Sequence, residues 1–146
     1  GRLFAHLFVS STGTDADFIV KLIDVYPGDA ECEVEDCEVP IGGFQMLVRG
    51  EVMRARFRNS FEHPEPMEPG RVTGLRFDMQ DVAHTFRKGH RMMVQIQSTW
   101  FPLVDRNPQT FTDIYHAEPD AYREATHRVF MGSEKASKLE MQLLQR

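Results

Sequence analysis

No serine in this sequence stands where a nucleophile would. Ser10, Ser11, Ser60, Ser98, Ser133 and Ser137 all lack the Gly-x-Ser-x-Gly setting, whose glycines let a strained elbow pack closely. The histidines, His6, His63, His84, His90, His116 and His127, form neither His-x-x-x-His nor His-Glu-x-x-His. No glycine-rich phosphate loop is present; Gly42-Gly43 is short and opens no helix. Basic excess is missing too. The net charge is −5, which argues against a nucleic-acid partner, since phosphate binding leaves a basic footprint. No apolar run approaches the length that crosses a bilayer, so no membrane partner is expected. The sequence opens on Gly1-Arg2 without methionine or a signal-like start, as expected of an excised or processed chain. It leaves the compartment, cytoplasmic or exported, open.

Cysteine is scarce as well. Cys32 and Cys37 lie among Glu31, Glu33, Glu35, Asp36 and Glu38, and that negative charge opposes thiolate formation. A zinc site would need two further ligands at suitable spacing, and no such pair is evident. A hairpin there allows either a local disulfide or free thiols, and both readings stand. No metal or cofactor is expected.

What is present is a series of short alternating segments separated by turn residues. Arg2 to Ser10 places Leu3, Ala5, Leu7 and Val9 on one face, with Phe4 and Phe8 on the other. Phe18 to Val25 is β-branched and stops at Tyr26-Pro27-Gly28-Asp29. Met46 to Phe57 reads as a strand with Gly50 as its bulge, and Arg54, Arg56 and Arg58 on one face. That face either docks an anionic surface or is a solvated face paired with acidic neighbours. Arg71 to Met79 turns Leu75, Phe77 and Met79 inward. Ala83 to Phe86 and Arg91 to Ser98 make the next two strands, with His84 and His90 flanking their turn and Met92, Val94 and Ile96 on the buried face. Glu118 to Ala125 suits a turn or two of helix, because Pro119 fits a helix start. Thr126 to Phe130 is a strand. The tail has helix-forming composition, yet Leu139, Met141 and Leu143 alternate with Glu140 and Gln142, and a final strand is expected. About eight strands in 146 residues make an all-β sandwich, a jelly roll.

The loop Trp100-Phe101-Pro102-Leu103-Val104-Asp105-Arg106-Asn107-Pro108 offers two aromatics before a proline, a fixed apolar ledge that would line a pocket or plug one end of the sandwich. Asp105, Arg106 and Asn107 can hold it rigid by hydrogen bonds.

Ordered motifs carry a family resemblance over most of the chain. They are Thr14-Asp15-Ala16-Asp17-Phe18 with Lys21 to Pro27, Arg54-Ala55-Arg56-Phe57-Arg58, Pro69-Gly70, His84 to Arg91, Ser98-Thr99-Trp100-Phe101-Pro102 with Asp105-Arg106-Asn107-Pro108, and Ala125 to Val129. Together they resemble the C-terminal domain of the X-Pro dipeptidyl-peptidase and cocaine esterase family, which includes glutaryl cephalosporin acylases and α-amino acid ester hydrolases. Two departures are the Gln109-Thr110-Phe111 that follows Asn-Pro and a long Cys32 to Gly43 segment.

The resemblance implies one galactose-binding-like jelly roll over residues 1–146, a C-terminal piece of a larger enzyme. It would pack on the α/β-hydrolase domain of the same parent chain, which carries the Ser-His-Asp triad, so no catalytic residue is expected here. Asp15, Asp17, Phe18, Trp100, Phe101, Asp105, Arg106 and Asn107 are the candidates for the cleft wall or domain interface. A carbohydrate-binding module is the alternative, although Trp100 is the sole tryptophan. A homo-oligomer built on the arginine face is a third reading.

Overall fold

The computed structural model describes residues 1–33 and 37–144, and it is almost entirely β. Glu35, Asp36 and Gln145, which belong to segments discussed above, lie outside the described residues. The elements are β1 (Arg2–Ser11), β2 (Asp17–Val25), β3 (Gln45–Arg54), β4 (Thr73–Asp81), β5 (Arg91–Gln97), β6 (His127–Val129), β7 (Met131–Gly132), β8 (Lys135–Ala136) and β9 (Lys138–Met141). Two 3-10 turns, Ala55–Phe57 and Pro119–Ala121, interrupt the strands.

Two antiparallel sheets face one another. In the first, β1 is central: β4 pairs along one edge, while β9 and then β6 pair along the other. In the second, β2 is central, flanked by β3 and β5. The core forms where the period-two faces meet. Leu3, Ala5, Leu7 and Val9 of β1 and Leu75, Phe77 and Met79 of β4 pack on Phe18, Val20 and Leu22 of β2 and Met53 of β3. The alternation of β1 and β4 therefore predicts the buried face correctly, and the tail is a strand, β9, whose Leu139 and Met141 pack against that core. At one side of the sandwich Arg49 donates to the Asp81 carbonyl at 2.7 Å and Gln80 to Glu51 at 3.2 Å, tying β3 to β4.

Glu118 to Ala125 holds one helical turn, the 3-10 turn Pro119–Ala121, with the proline at its start as expected. Three expectations need correction. Ala83 to Phe86 is not a strand: it forms no ladder and is held by side-chain bonds described below. The irregularity in the β2–β3 register falls opposite Leu22 and Ile23, beside Val48, and Gly50 pairs regularly with Lys21. Met92 and Val94 share the inward parity of β5, but they are 47% and 45% exposed because no strand lies opposite them among the described residues. The Cys32–Cys37 alternatives resolve to a disulfide. No helix among the described residues is long and apolar enough to cross a membrane.

Candidate functional site

The arginine row is not a sheet face. The chain leaves β3 at Arg54 and enters the 3-10 turn Ala55–Phe57, so the three guanidinium groups splay in different directions. Each finds a carboxylate. Arg54 Nε donates to Asp17 Oδ2 at 3.3 Å and its Nη2 to Asp105 Oδ1 at 2.7 Å. Arg56 Nε donates to Asp15 Oδ2 at 2.8 Å, and its Nη2 lies 2.7 Å from the same oxygen. Arg58 donates to the carbonyls of Ala55, Glu65 and Pro66 and lies 3.4 Å from the Glu65 carboxylate.

Asn107 closes the network. Its Nδ2 donates to Asp15 Oδ2 at 3.0 Å and Asp17 Oδ1 at 2.8 Å, while its Oδ1 accepts from the Gln109 amide at 2.8 Å. Asp15, Asp17, Arg56 and Asn107 are all buried. Buried charges persist only when paired and hydrogen-bonded, and here the pairing welds three distant segments into one end of the sandwich. Burial is the largest influence on Asp17 and raises its carboxyl above the usual 3.8, although Asn107 and Arg54 pull the other way. For Arg54 burial pulls down, and the Asp105 and Asp17 carboxylates outweigh it, so the cation is favoured. The two partners thus disagree about their shared contact. The exposed Asp105 is what reconciles them, since it stabilises Arg54 without sharing the burial cost of Asp17.

The candidates for the cleft wall or interface divide on this basis. Asp15, Asp17 and Asn107 are internal bracing, and Phe18 is a core side chain, 2% exposed. Trp100 and Phe101 do not form one ledge. Trp100 packs down on β3, where a Cβ on Gly50 would come within 2.6 Å of its ring, with Lys21 Nζ 4.3 Å from the ring centre. Phe101 stands out, 61% exposed, with the Arg106 guanidinium 5.2 Å from its ring. Other apolar side chains stand exposed along the same segment: Leu103, Phe111, Tyr115 and Tyr122. The segment is anchored to the bracing: the Phe111 amide donates to Thr14 Oγ1 at 2.8 Å, its ring lies 4.8 Å from the Arg56 guanidinium, and the Arg123 amide donates to the Pro108 carbonyl.

Gly50 makes room for the single tryptophan. Gly50→Val is expected to push Trp100 off the sheet, costing about 1–3 kcal/mol as overpacking does. Trp100 is the chain's sole tryptophan, so its emission should shift to the red as denaturation moves to lower denaturant. Unchanged emission would mean that the ring is not seated there.

A second polar cluster lies at the opposite end of β2. Asp24 is buried at a position whose parity matches Phe18, Val20 and Leu22. His84 Nε2 meets its Oδ2 and His90 Nδ1 its Oδ1, each at 2.8 Å. His84 and His90 therefore do not pair with each other across their turn; they clamp one carboxylate. Asp24 is not among the candidates drawn from the sequence, where its signal is an aspartate on the inward face of an otherwise apolar strand. Burial pushes its carboxyl up, but the hydrogen bonds and charges of His84 and His90 outweigh that and hold it below 3.8.

None of this assembles a reaction centre. Among the described residues the histidine–carboxylate contacts are His6–Glu140, His84–Asp24, His90–Asp24 and His116–Asp113, and no serine hydroxyl there is bonded to these rings. Both cysteines are in the disulfide. Among the described residues no group of three or more histidine, cysteine, aspartate or glutamate side chains is placed to hold a metal ion.

Residues 1–140 match the family described as the X-Pro dipeptidyl-peptidase C-terminal non-catalytic domain. The chain belongs to that family. Its relatives are larger proteins. A cocaine esterase from Rhodococcus sp. (strain MB1 Bresler) is 31% identical over the whole chain, which spans 23% of the esterase. The crystal structure of an aminopeptidase from a marine sediment Thaumarchaeota archaeon superposes with a TM-score of 0.91 at 42% identity, over 99% of this chain and 23% of the aminopeptidase. An α-amino acid ester hydrolase labelled with selenomethionine gives 0.87 at 40% identity, over 95% and 22% respectively. The chain thus spans under a quarter of the relatives it matches, and as a domain of this family it sits within a multidomain parent. The all-β sandwich expected from the strand pattern agrees with these superpositions.

Proposed function

We propose that this domain is a structural part of a serine hydrolase that cleaves ester or amide bonds, and that it docks on the parent's α/β-hydrolase domain through the 100–123 segment. One observation supports the docking most directly: Phe101, Leu103, Phe111, Tyr115 and Tyr122 stand exposed on a loop held by the buried hydrogen bonds of Asn107 to Asp15 and Asp17. Exposed apolar side chains on a preorganised scaffold are the usual makings of an interface. The parent would carry out acyl transfer with a serine, histidine and aspartate outside this chain. Cleft-lining contacts, where the domain makes them, would come from Phe101, Arg106 and their neighbours.

The isolated 146-residue chain is expected to show no turnover of an activated ester, while the full-length parent turns it over. In the parent, Phe101→Asp and Leu103→Asp should each cost on the order of 1–2 kcal/mol of stability, as interface truncations do. In the isolated chain both should be nearly silent. Turnover by the isolated chain, or equal effects of the variants in both settings, would defeat this reading. Free-sugar titrations address the carbohydrate-binding alternative, for which the chain offers one tryptophan, packed on Gly50 and Lys21.

A further inference from the structure

The outer face of the first sheet carries positive charge that its own carboxylates do not neutralise. Register sets Arg76 of β4 and Lys138 of β9 on either side of His6 of β1, one basic row across three strands. Their inward neighbours Leu7, Leu75 and Leu139 belong to or pack on the core, so the row faces outward. Like charges set side by side weaken a sheet, and in a chain of net charge −5 they are not a by-product of basic composition.

Carboxylates of the same face are engaged or poorly aligned. Asp78 accepts from Arg2 at 2.8 Å. Glu140 lies 3.0 Å from His6 Nε2 without the alignment of a hydrogen bond. Among the described residues no carboxylate comes within ion-pair distance of Arg76 or Lys138.

The row borders a hollow. His6, Phe8, Arg58, Gly74, Arg76 and Lys138 line a cavity of about 530 Å³, and small-molecule sites typically span about 300–1,000 Å³. Gly74, opposite Phe8, keeps it open. A Cβ on Gly74 would touch only the Phe8 ring, at 3.8 Å, and its φ is not left-handed, so neither packing nor backbone requires a glycine there. The cations are already placed. Arg58 donates to the Ala55, Glu65 and Pro66 carbonyls, and the Arg76 guanidinium lies 4.6 Å from the centre of the Phe4 ring. Placed cations beside a phenyl ring and an unfilled space suit an anion on an apolar body, and a guanidinium matches the planar fork of a carboxylate best.

We propose that this hollow binds a small-molecule carboxylate with an aromatic body, its oxygens received by Arg76 and Lys138 and its ring lying against Phe8 in the space left by Gly74. No residue of the 100–123 segment lines the hollow, so the proposal stands apart from the docking reading.

Ligand-observed NMR titration of the full-length protein with 4-phenylbutyrate tests this. Saturable binding is expected with a Kd on the order of 1 mM or tighter, as suits a ligand of about a dozen heavy atoms. Arg76→Gln and Lys138→Gln should each weaken it about tenfold, as loss of a charge-assisted hydrogen bond does. Gly74→Leu should abolish it by filling the hollow. All three positions are exposed, so the melting temperature should hold. The uncharged 4-phenylbutyramide, which keeps the ring without the charge, should bind at least about tenfold more weakly, and so should inorganic phosphate, which has the charge without the ring. Binding that survives all three substitutions belongs elsewhere on the protein and overturns the proposal. So does equal affinity for the amide, equal affinity for phosphate, or no saturable binding up to about ten times the expected Kd.

Discussion

Asp15→Ala is expected to destabilise the domain by about 3–5 kcal/mol, the cost of stranding one member of a buried ion pair. Asp15 is fully buried, and its removal leaves the Arg56 guanidinium, 8% exposed, without its carboxylate and Asn107 with one acceptor fewer. A loss of that size corresponds to a fall in melting temperature of roughly 10 °C or more for a domain of this length. The pair itself contributes little net stability, because desolvating both charges offsets their attraction. The double variant Asp15→Ala/Arg56→Met is therefore expected to recover much of the loss, apart from the Arg56 contact with the Phe111 ring. Denaturant unfolding of the single and double variants checks this. A single variant within about 1 kcal/mol of the parent sequence would mean that water reaches Arg56 freely, since only an exposed pair is worth so little. The functional consequence lies in the loop: without Asp15, Asn107 keeps only its carboxylate bond to Asp17, and Arg56, whose guanidinium lies against the Phe111 ring, loses its carboxylate, so the exposed aromatics are held less firmly.

Strand positions were legible because burial on one face leaves a period of two in the sequence, as in Leu3-Ala5-Leu7-Val9 and Leu75-Phe77-Met79. The same periodicity misled at Arg54, Arg56 and Arg58, because alternation persists on paper after the chain has turned into a 3-10 helix. What ends the strand there is tertiary: Asp15 and Asp17 lie 41 and 37 residues away in sequence and capture the guanidinium groups. Ala83 to Phe86 failed for a related reason, since side-chain bonds to Asp24, 60 and 66 residues from His84 and His90, replace a backbone ladder. Met92 and Val94 are a different case. Their alternation marks an inward face correctly, but period says nothing about whether a strand lies opposite that face. The candidate site was half visible: Asp15, Asp17 and Asn107 fall in two separate motifs, while their meeting as buried bracing and the exposure of Phe101 needed three-dimensional contacts.

Asp24→Ala should cost roughly 3 kcal/mol or more, because two hydrogen bonds to a charged acceptor are worth about 1.5–3 kcal/mol each and both vanish together. The carboxylate receives His84 and His90 on separate oxygens, so no other acceptor in the clamp can serve both rings. The loss should be concentrated in residues 83–90, which have little backbone pairing of their own beyond the His90 to Arg87 turn bond. Acid dependence provides an independent check, and its sign follows from the direction of the shift. The folded carboxyl titrates below 3.8, so the folded state binds fewer protons than the unfolded state in that range. The contribution of Asp24 is then complete above its unfolded pKa and is lost as the pH falls through the folded one. Asp17 acts in the opposite sense: its folded carboxyl is raised, so its contribution is present below the unfolded pKa and lost as the pH rises through the folded one. Unfolding free energies measured between about pH 2 and 5, the range where such carboxylates titrate, should fall with acidification in the parent sequence, and Asp24→Asn should flatten that slope. Asp17→Asn should steepen it by removing the opposing contribution. If both variants leave the slope unchanged, neither carboxyl titrates differently in the folded and unfolded states, and the opposite shifts assigned to the clamp and the brace are absent.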